Sequence, residues 1–242
     1  MQLKTLIIDD ERLARKELGT LLSKFPEILV VGECSNADEA VEAINVHNPD
    51  LIFLDIQMPG KSGFDLLELL DAVPRVIFVT AFDEHALKAF DVNALDYLLK
   101  PVEEDRLAEA IQKVSKSLQG EQRLLSVSRE KRIGQDDQIF LKDGEKCWFV
   151  SLKDVRLFES EGNYVRVYFN NFKPLILKSL NNLEDRLDDS FFRTNRKYIV
   201  NLRWVQHVEN WFNGGLKLTL RDNTNVEVSR RQAARFKEVM SL

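Results

Sequence analysis

Cysteine is almost missing from this chain. Cys34 and Cys147 are the only two among 242 residues, and they stand far apart. No Cys-x-x-Cys pair and no Cys/His cluster of zinc spacing exists, which excludes a disulfide scaffold and a zinc module. Histidine is as sparse, with only the scattered His47, His85 and His207. No apolar run approaches the ~20 residues that a helical membrane span requires. The opening MQLKTLIIDDERLARKEL meets Asp9, Asp10 and Glu11 after a few apolar residues, which is not the pattern of a signal peptide. The expectation is a reduced, cytoplasmic protein with no structural metal and no membrane partner.

What is present is ordinary for a globular chain: 44% hydrophobic and 30% charged residues. That balance excludes a collagen-like, low-complexity or wholly disordered chain. The length fits one large domain or two ordinary ones. The charge favours two. Residues 1–118 hold 12 Lys+Arg against 22 Asp+Glu, a net charge of −10. Residues 138–242 hold 18 against 13, a net +5. An acidic front and a basic back suit different partners, with a polyanion the natural one for the back half.

The front half alternates short apolar runs with helical patterns. The runs are Leu3–Ile8, Ile28–Val31, Leu51–Leu54, Val76–Val79 and Leu95–Leu99. Between them Ala14, Leu18, Leu21, Leu22 and Phe25 repeat at helical spacing, as do Ala37, Ala40, Val41 and Ile44 behind an Asn36 cap. Leu66, Leu67 and Leu70, then a short helix over 86–90, then Leu107, Ile111, Val114 and Leu118 complete five βα units. Such alternation predicts an α/β domain, an open, doubly wound, five-stranded parallel sheet whose chemistry sits beyond the carboxyl ends of its strands. Residues 119–137 are polar and weakly patterned and read as a linker or a frayed extension of the last helix. From 138 onward, short β-branched and aromatic runs recur between turn signals such as Asp143-Gly144, Gly162-Asn163 and Asn213-Gly214-Gly215. Only two helices are expected there, one from Ser179 and one from Ser229. The back half therefore predicts a mostly antiparallel β domain with few helices.

The strand ends of the front half carry one kind of chemistry. Asp9 and Asp10 follow the first run, Asp55 the third, Thr80 the fourth and Lys100 the fifth. Clustered carboxylates repel unless a hard cation lies between them, and oxygen ligands favour Mg²⁺. A metal, a nucleophilic carboxylate, a hydroxyl and an ammonium around one point suit an aspartyl phosphate.

The pieces IIDDE (7–11), LDIQMPGKSG (54–63), FVTAFDE (78–84) and LDYLLKP (95–101) resemble the receiver domain of two-component response regulators, over residues 1–118 and in order. The resemblance implies a flavodoxin-like fold in which Asp55 accepts a phosphoryl group from a sensor histidine kinase. It further implies Mg²⁺ on Asp10 and Asp55, with Asp9 acting through water and Gln57 through its backbone carbonyl. Thr80 and Lys100 would contact the phosphoryl oxygens, Tyr97 would swing inward on switching, and the Lys100-Pro101 bond would be cis. Phe82, two residues past Thr80, would shield the phosphoryl group from water.

In the back half, ESEGNYVRVYF (159–169), FFRTNRKYIVN (191–201) and VSRRQAARFK (228–237) resemble the LytTR DNA-binding domain of the LytR/AlgR regulators. That resemblance implies a β-rich module that reads duplex DNA through loops. Asn163, Asn201 and Arg230 are expected at base edges, and Tyr164, Arg193, Arg196, Lys197 and Arg231 at the backbone. The aromatics Phe191, Phe192, Trp204, Trp211 and Phe236 read as core, and Asn213-Gly214-Gly215 as a hairpin turn.

The chain thus reads as a response regulator, not an enzyme. A phosphatase working through an aspartyl phosphate wants a second acid at position 57, where this chain has Gln. Phosphorylation would promote a homodimer through the face built by about 83–118, and the dimer would bind two adjacent half-sites. The alternative is a receiver with a protein-binding output and no DNA.

Overall fold

The structure is a computed structural model that describes residues 2–81, 96–119, 132–144 and 146–240, with the side chains of 115–119 left aside. The short helix expected over 86–90, Phe82 and the 83–95 part of the expected dimer face lie outside the described residues. The chain divides into two compact units, 1–127 with 145–149, and 128–144 with 150–242.

The first unit is a parallel five-stranded sheet in the order β2-β1-β3-β4-β5. Its strands are β1 (Leu3–Ile8), β2 (Ile28–Cys34), β3 (Leu51–Leu54), β4 (Arg75–Thr80) and β5 (Asp96–Leu99). Its described helices are α1 (Arg12–Leu22), α2 (Ala37–His47), α3 (Gly63–Leu69) and α4 (Glu104–Gln119). The central strands are unbroken apolar runs because helices cover both of their faces; β3 is buried at all four positions. On one face Leu18 and Leu22 of α1 and Leu107, Ala110, Ile111 and Val114 of α4 pack with Ile7, Phe53, Ile77 and Leu98. The edge strand β2 leaves Leu29 and Val30 exposed.

The helix starts follow local chemistry. The Asn36 side chain accepts the Glu39 amide at 2.9 Å, as the sequence suggests. Ser62 and Asp65 close a reciprocal capping box at α3. Gly63 is dictated by space: a Cβ there would meet the Asp55 carbonyl oxygen at 2.3 Å. Its glycine lets α3 begin hard against the end of β3.

The second unit is built on antiparallel pairing. One sheet runs β10-β9-β8-β12-β11 and a second runs β13-β14-β15; β6 (Gln138–Asp143) and β7 (Lys146–Ser151) precede them in the chain. The larger sheet comprises β8 (Val155–Glu161), β9 (Tyr164–Phe169), β10 (Leu175–Ile176), β11 (Phe191–Arg193) and β12 (Tyr198–Asn201). The smaller comprises β13 (Val205–Asn210), β14 (Leu216–Leu220) and β15 (Asn225–Val228). Leu157 and Val200 of the first pack with Leu220 and Val226 of the second. Two helices complete the unit, α5 (Leu180–Arg186) and α6 (Arg230–Met240). Ser179 caps α5 by accepting the Asn182 amide. Phe236 of α6 is fully buried, edge-on to Phe192 at 5.2 Å.

One stretch departs from its polar reading. Residues 133–137 fall inside the expected linker, yet they are fastened to the second unit. The Ile133 amide donates to the Arg186 carbonyl at 2.8 Å, and the Leu152 amide donates to the Asp137 carbonyl at 3.0 Å. Gln135 is buried and bonded to Ser190 and Asn201. Polarity here serves internal hydrogen bonds rather than solvent.

Phe236→Ala is expected to cost about 3–5 kcal/mol, the usual range for truncating a buried phenylalanine. Trp204 and Trp211 lie in the same unit as Phe236, so urea unfolding followed by tryptophan fluorescence reports it. A loss below about 1 kcal/mol would contradict this packing.

Candidate functional sites: an acidic strand-end cluster and a basic loop surface

Register builds the first site. Parallel pairing sets Ile8 beside Leu54, Leu54 beside Phe78, and Thr80 beside Leu99. The residues one step further on, Asp9, Asp55 and Lys100, therefore meet at one edge of the sheet. Backbone bonds lock that edge: the Asp55 amide donates to the Ile8 carbonyl and the Lys100 amide to the Thr80 carbonyl, both at 2.9 Å.

The side chains converge. The Lys100 ammonium donates to Asp55 Oδ2 at 2.6 Å and pairs with Asp9 Oδ2 at 2.7 Å. Asp55 Oδ1 accepts the Gln57 amide at 3.0 Å, and Asp9 Oδ1 accepts the Glu11 amide at 2.9 Å. Asp9, Asp55 and Thr80 are 4%, 5% and 0% exposed, so the charges sit in a desolvated place. Asp10 is half-buried, and the ligand atoms of Asp9, Asp10 and Asp55 lie within 4.8 Å of one another. Tyr97 is half-buried in β5. The Lys100-Pro101 peptide is cis, as expected.

Electrostatics set the protonation of this cluster. Burial pushes the Asp55 carboxyl above the ordinary carboxylate range, more than Lys100 and the Gln57 amide pull it down. For Lys100, burial opposes the charge, but its bonds to Asp55 and Asp9 outweigh it and hold the pKa above the ordinary value. The site thus has one held cation and more acid than that cation neutralises. An all-oxygen donor set of this kind fits a hard divalent cation.

Sequence reasoning passed over Arg15. Its Nη1 donates to the Asp9 carbonyl at 2.6 Å and the Asp10 carbonyl at 3.1 Å, and its Nε reaches Glu33 at 3.4 Å. It clips the backbone of the acidic pair. The available signal was an Arg four residues past Glu11 on the first helix.

The second site gathers three segments. The loop 194–197 between β11 and β12 is its hub. Asn195 shapes the loop: its Oδ1 accepts the amides of Lys197 and Tyr198, and its Nδ2 donates to the Glu227 carbonyl at 2.6 Å. The Ser160 amide donates to the Lys197 carbonyl at 2.8 Å, beside the β8–β9 turn. The Ser229 amide donates to the Thr194 carbonyl at 3.0 Å, at the start of α6. The loop therefore stands between the turn that carries Asn163 and Tyr164 and the helix start that carries Arg230 and Arg231. Asn163, Arg196, Lys197, Arg230 and Arg231 are exposed, as is Tyr164 at 48%.

Two expected DNA residues are committed elsewhere. Asn201, expected in a loop at a base edge, ends β12 and is 0% exposed. Its Nδ2 donates to the Val155 carbonyl at 2.8 Å, and its Oδ1 accepts the Arg203 amide at 3.0 Å and a Gln135 Nε2 hydrogen at 3.1 Å. A side chain bound this fully cannot read a base, so that expectation is corrected. Arg193 is likewise turned inward: Nε donates to the Asn195 carbonyl at 2.6 Å and Nη2 to the Arg196 carbonyl at 3.0 Å, with Glu184 at 3.5 Å. It braces the loop instead of presenting a charge to a phosphate. Phe191, Phe192 and Phe236 are core, as expected, while Trp204 and Trp211 are half-buried.

Lys197 is exposed but not idle. It pairs with Glu159 at 2.7 Å. Glu159 also accepts the hydroxyls of Tyr168 and Tyr198. Burial works against the Glu159 charge, yet the bonds from Lys197 and the two tyrosines hold its carboxyl below the ordinary range. Burial and the Glu159 bond push the Tyr168 hydroxyl up to about 12.

A parallel sheet with a carboxylate, hydroxyl and ammonium edge, followed by a β module with a cationic loop surface, is the architecture of a two-domain regulator. Comparison with known proteins agrees. Residues 5–112 match the response regulator receiver domain, and residues 145–241 match the LytTR DNA-binding domain. The chain is 36% identical over 241 residues to the sensory transduction protein LytT of Enterococcus faecalis, covering 98% of each chain. It is 33% identical to LytT of Bacillus subtilis, covering 99% of this chain and 100% of that one. It is 36% identical to the transcriptional regulatory protein BtsR of Escherichia coli, with the same coverage. The chain belongs to the two-component response regulators that join a receiver domain to a LytTR DNA-binding domain; these relatives are regulators and not enzymes. Among the described residues, no helix is long and apolar enough to cross a membrane.

Two outcomes follow from this geometry. The raised Asp55 pKa means that folding favours its protonated form, so its charge costs stability once the pH rises through the folded-state value. Asp55→Asn removes that cost and is expected to melt higher than the parent protein at pH 7 in a chelator, by differential scanning calorimetry; a lower melting temperature would contradict it. Asn201→Ala removes the bond to the Val155 carbonyl and one bond each from the Leu152 carbonyl and the Gln135 amide, in a buried place, and is expected to cost about 2 kcal/mol or more. Arg196→Ala should stay within about 0.5 kcal/mol of the parent in the same urea titration. Equal stability for the two variants would restore Asn201 as a surface group.

Proposed function

We propose that this protein is a phosphorylation-controlled transcription regulator whose phosphoacceptor is Asp55. The supporting observation is the Lys100 ammonium, 2.6 Å from Asp55 Oδ2, where negative charge would collect on a transferred phosphoryl group. A sensor histidine kinase is the donor. One Asp55 oxygen attacks phosphorus, the P–O bond forms as the P–N bond to the kinase imidazole breaks, and the imidazole leaves with the electron pair. Lys100 exchanges its bond to the carboxylate for one to a phosphoryl oxygen, and the buried Thr80 hydroxyl donates to another. Tyr97 follows Thr80 inward. Mg²⁺, held by Asp10 and Asp55, by Asp9 through water and by the Gln57 carbonyl, would neutralise charge on the transferring group. Arg15 keeps the backbone under Asp9 and Asp10 in place for that role.

Phosphorylation shifts the receiver between two states and promotes a homodimer. Two linked copies of the β module then engage two adjacent half-sites, which raises effective affinity. Arg196, Lys197 and Arg231 neutralise phosphates, Tyr164 lies at the backbone, and Asn163 and Arg230 address base edges. The domains run over 1–118 and 138–242, with the polar stretch 119–137 between them and its end, 133–137, attached to the second. The setting is the cytoplasm, where kinase domain and DNA are both accessible.

The test is selection of sheared genomic DNA from the source organism at near-physiological salt, with and without beryllofluoride and Mg²⁺. The expected result is enrichment of fragments that carry two spaced repeats, strengthened at least about fivefold by the phosphoryl mimic. Asp55→Asn should bind those fragments weakly and show no stimulation. Stimulation retained in Asp55→Asn would overturn the phosphoacceptor assignment. No enrichment of any duplex by folded protein would point instead to a protein-binding output.

A further inference from the structure

The tip between β13 and β14 carries a side chain that the function so far leaves unused. Phe212 is 75% exposed. It is held on a rigid mount. The Trp211 amide donates to the Gly215 carbonyl at 2.9 Å, and the Gly215 amide donates to the Phe212 carbonyl at 3.1 Å. Asn213 and Gly214 take left-handed backbone, with φ of 54° and 77°. The Trp211 ring stands edge-on to Phe212 at 4.7 Å, and its Nε1 donates to Glu227 at 3.2 Å. Lys217 lies over the Trp211 ring at 4.7 Å and pairs with Glu209 at 2.8 Å.

This tip is fastened to the corner that anchors the candidate DNA loop. Glu227 holds Trp211 through its carboxylate and Asn195 through its carbonyl. At Gly215 a Cβ would come within 2.8 Å of the Val228 carbonyl, so the tip lies flat against the end of β15. At Gly214 a Cβ would lie 3.8 Å from Arg230 Cγ. Gly214, two residues past Phe212, thus lies beside the first residue of α6. On the tip and the helix start, Asn210, Asn213, Gly214, Arg230 and Arg231 are all exposed. A protein interface would surround such a ring with further apolar surface. One exposed apolar ring, backed by Trp211, on a polar, cationic edge suits a duplex, which offers phosphates beside thymine methyls and sugar carbons.

We propose that Phe212 is a DNA-contact residue that seats its ring on the apolar part of the duplex next to the phosphates taken by the start of α6. This rests on the DNA-binding reading above and adds to it a contact that is not ionic. An apolar contact releases no counterions, so its loss must weaken binding equally at every salt concentration.

The experiment measures binding of the full chain to a duplex recovered in the genomic selection, across a salt series, for the parent protein, Phe212→Ala, Phe212→Leu and Arg231→Ala. Phe212→Ala should lose about tenfold in affinity at each salt concentration with the slope of log K against log[salt] unchanged. Phe212→Leu, which keeps an apolar tip, should recover part of that loss. Arg231→Ala should weaken binding and lower the slope by about one. Parent-like affinity for Phe212→Ala, or a slope that falls as it does for Arg231→Ala, overturns the proposal. A parent protein without salt-dependent affinity for any duplex removes the DNA reading itself, and the Phe212 contact with it.

Discussion

One ammonium held between two buried carboxylates is the interaction on which the front half of this protein turns. Lys100 sits 2.6 Å from Asp55 and 2.7 Å from Asp9, in surroundings where neither acid could stay charged alone at low cost. The arrangement needs β1, β3 and β5 to end at the same level. Parallel register supplies that level, and the amide bonds from Asp55 to Ile8 and from Lys100 to Thr80 hold it. It also needs the chain after Asp55 to turn away sharply, which Gly63 permits by letting α3 start against the Asp55 carbonyl. Arg15 ties down the opposite side by gripping the carbonyls of Asp9 and Asp10. What results is a buried site with more acid than base, which could hold a cation among its acids.

The back half divides its polar residues between two tasks. Within the nine residues Arg193–Asn201, Arg193, Asn195 and Asn201 spend their hydrogen bonds on the protein's own backbone, while Arg196 and Lys197 stay exposed. The first group gives the loop its shape; the second gives it charge. On the DNA-binding reading, a loop that is stiff before it binds avoids the entropy cost of being ordered later. Asn195 provides this by joining the loop to β15, and the Glu159 carboxylate, with its two tyrosines, holds Lys197 from the other side. The aromatic tip at Trp211 and Phe212 is fastened to the same corner through Glu227.

Much of this was legible beforehand. The parallel runs, the helix faces and the caps at Asn36 and Ser179 follow from periodicity and local hydrogen bonding, which act over a few residues. The strand-end acids were legible because a parallel sheet collects its chemistry at one edge. Arg15 was not, because its partners are carbonyl oxygens, which carry no sequence signal. The hydrogen bonds of residues 133–137 are hidden in the sequence for a related reason: a polar residue looks the same whether water or a buried backbone group satisfies it.

The sequence by itself determined the two fold classes, their order, the charge of each half and the identity of the groups at the sheet edge. These depend on composition, spacing and the geometry that all parallel sheets share. Only the tertiary structure decided which polar residue in a motif faces outward. Asn201 and Arg196 lie five positions apart, both with hydrogen-bonding side chains, and nothing in their spacing separates them. The pairing of β12 with β8 and β11 buries the first against Val155 and Gln135 and leaves the second in solvent. Burial is set by segments distant in sequence, so a short motif can name the residues of a site without saying which of them will touch its ligand.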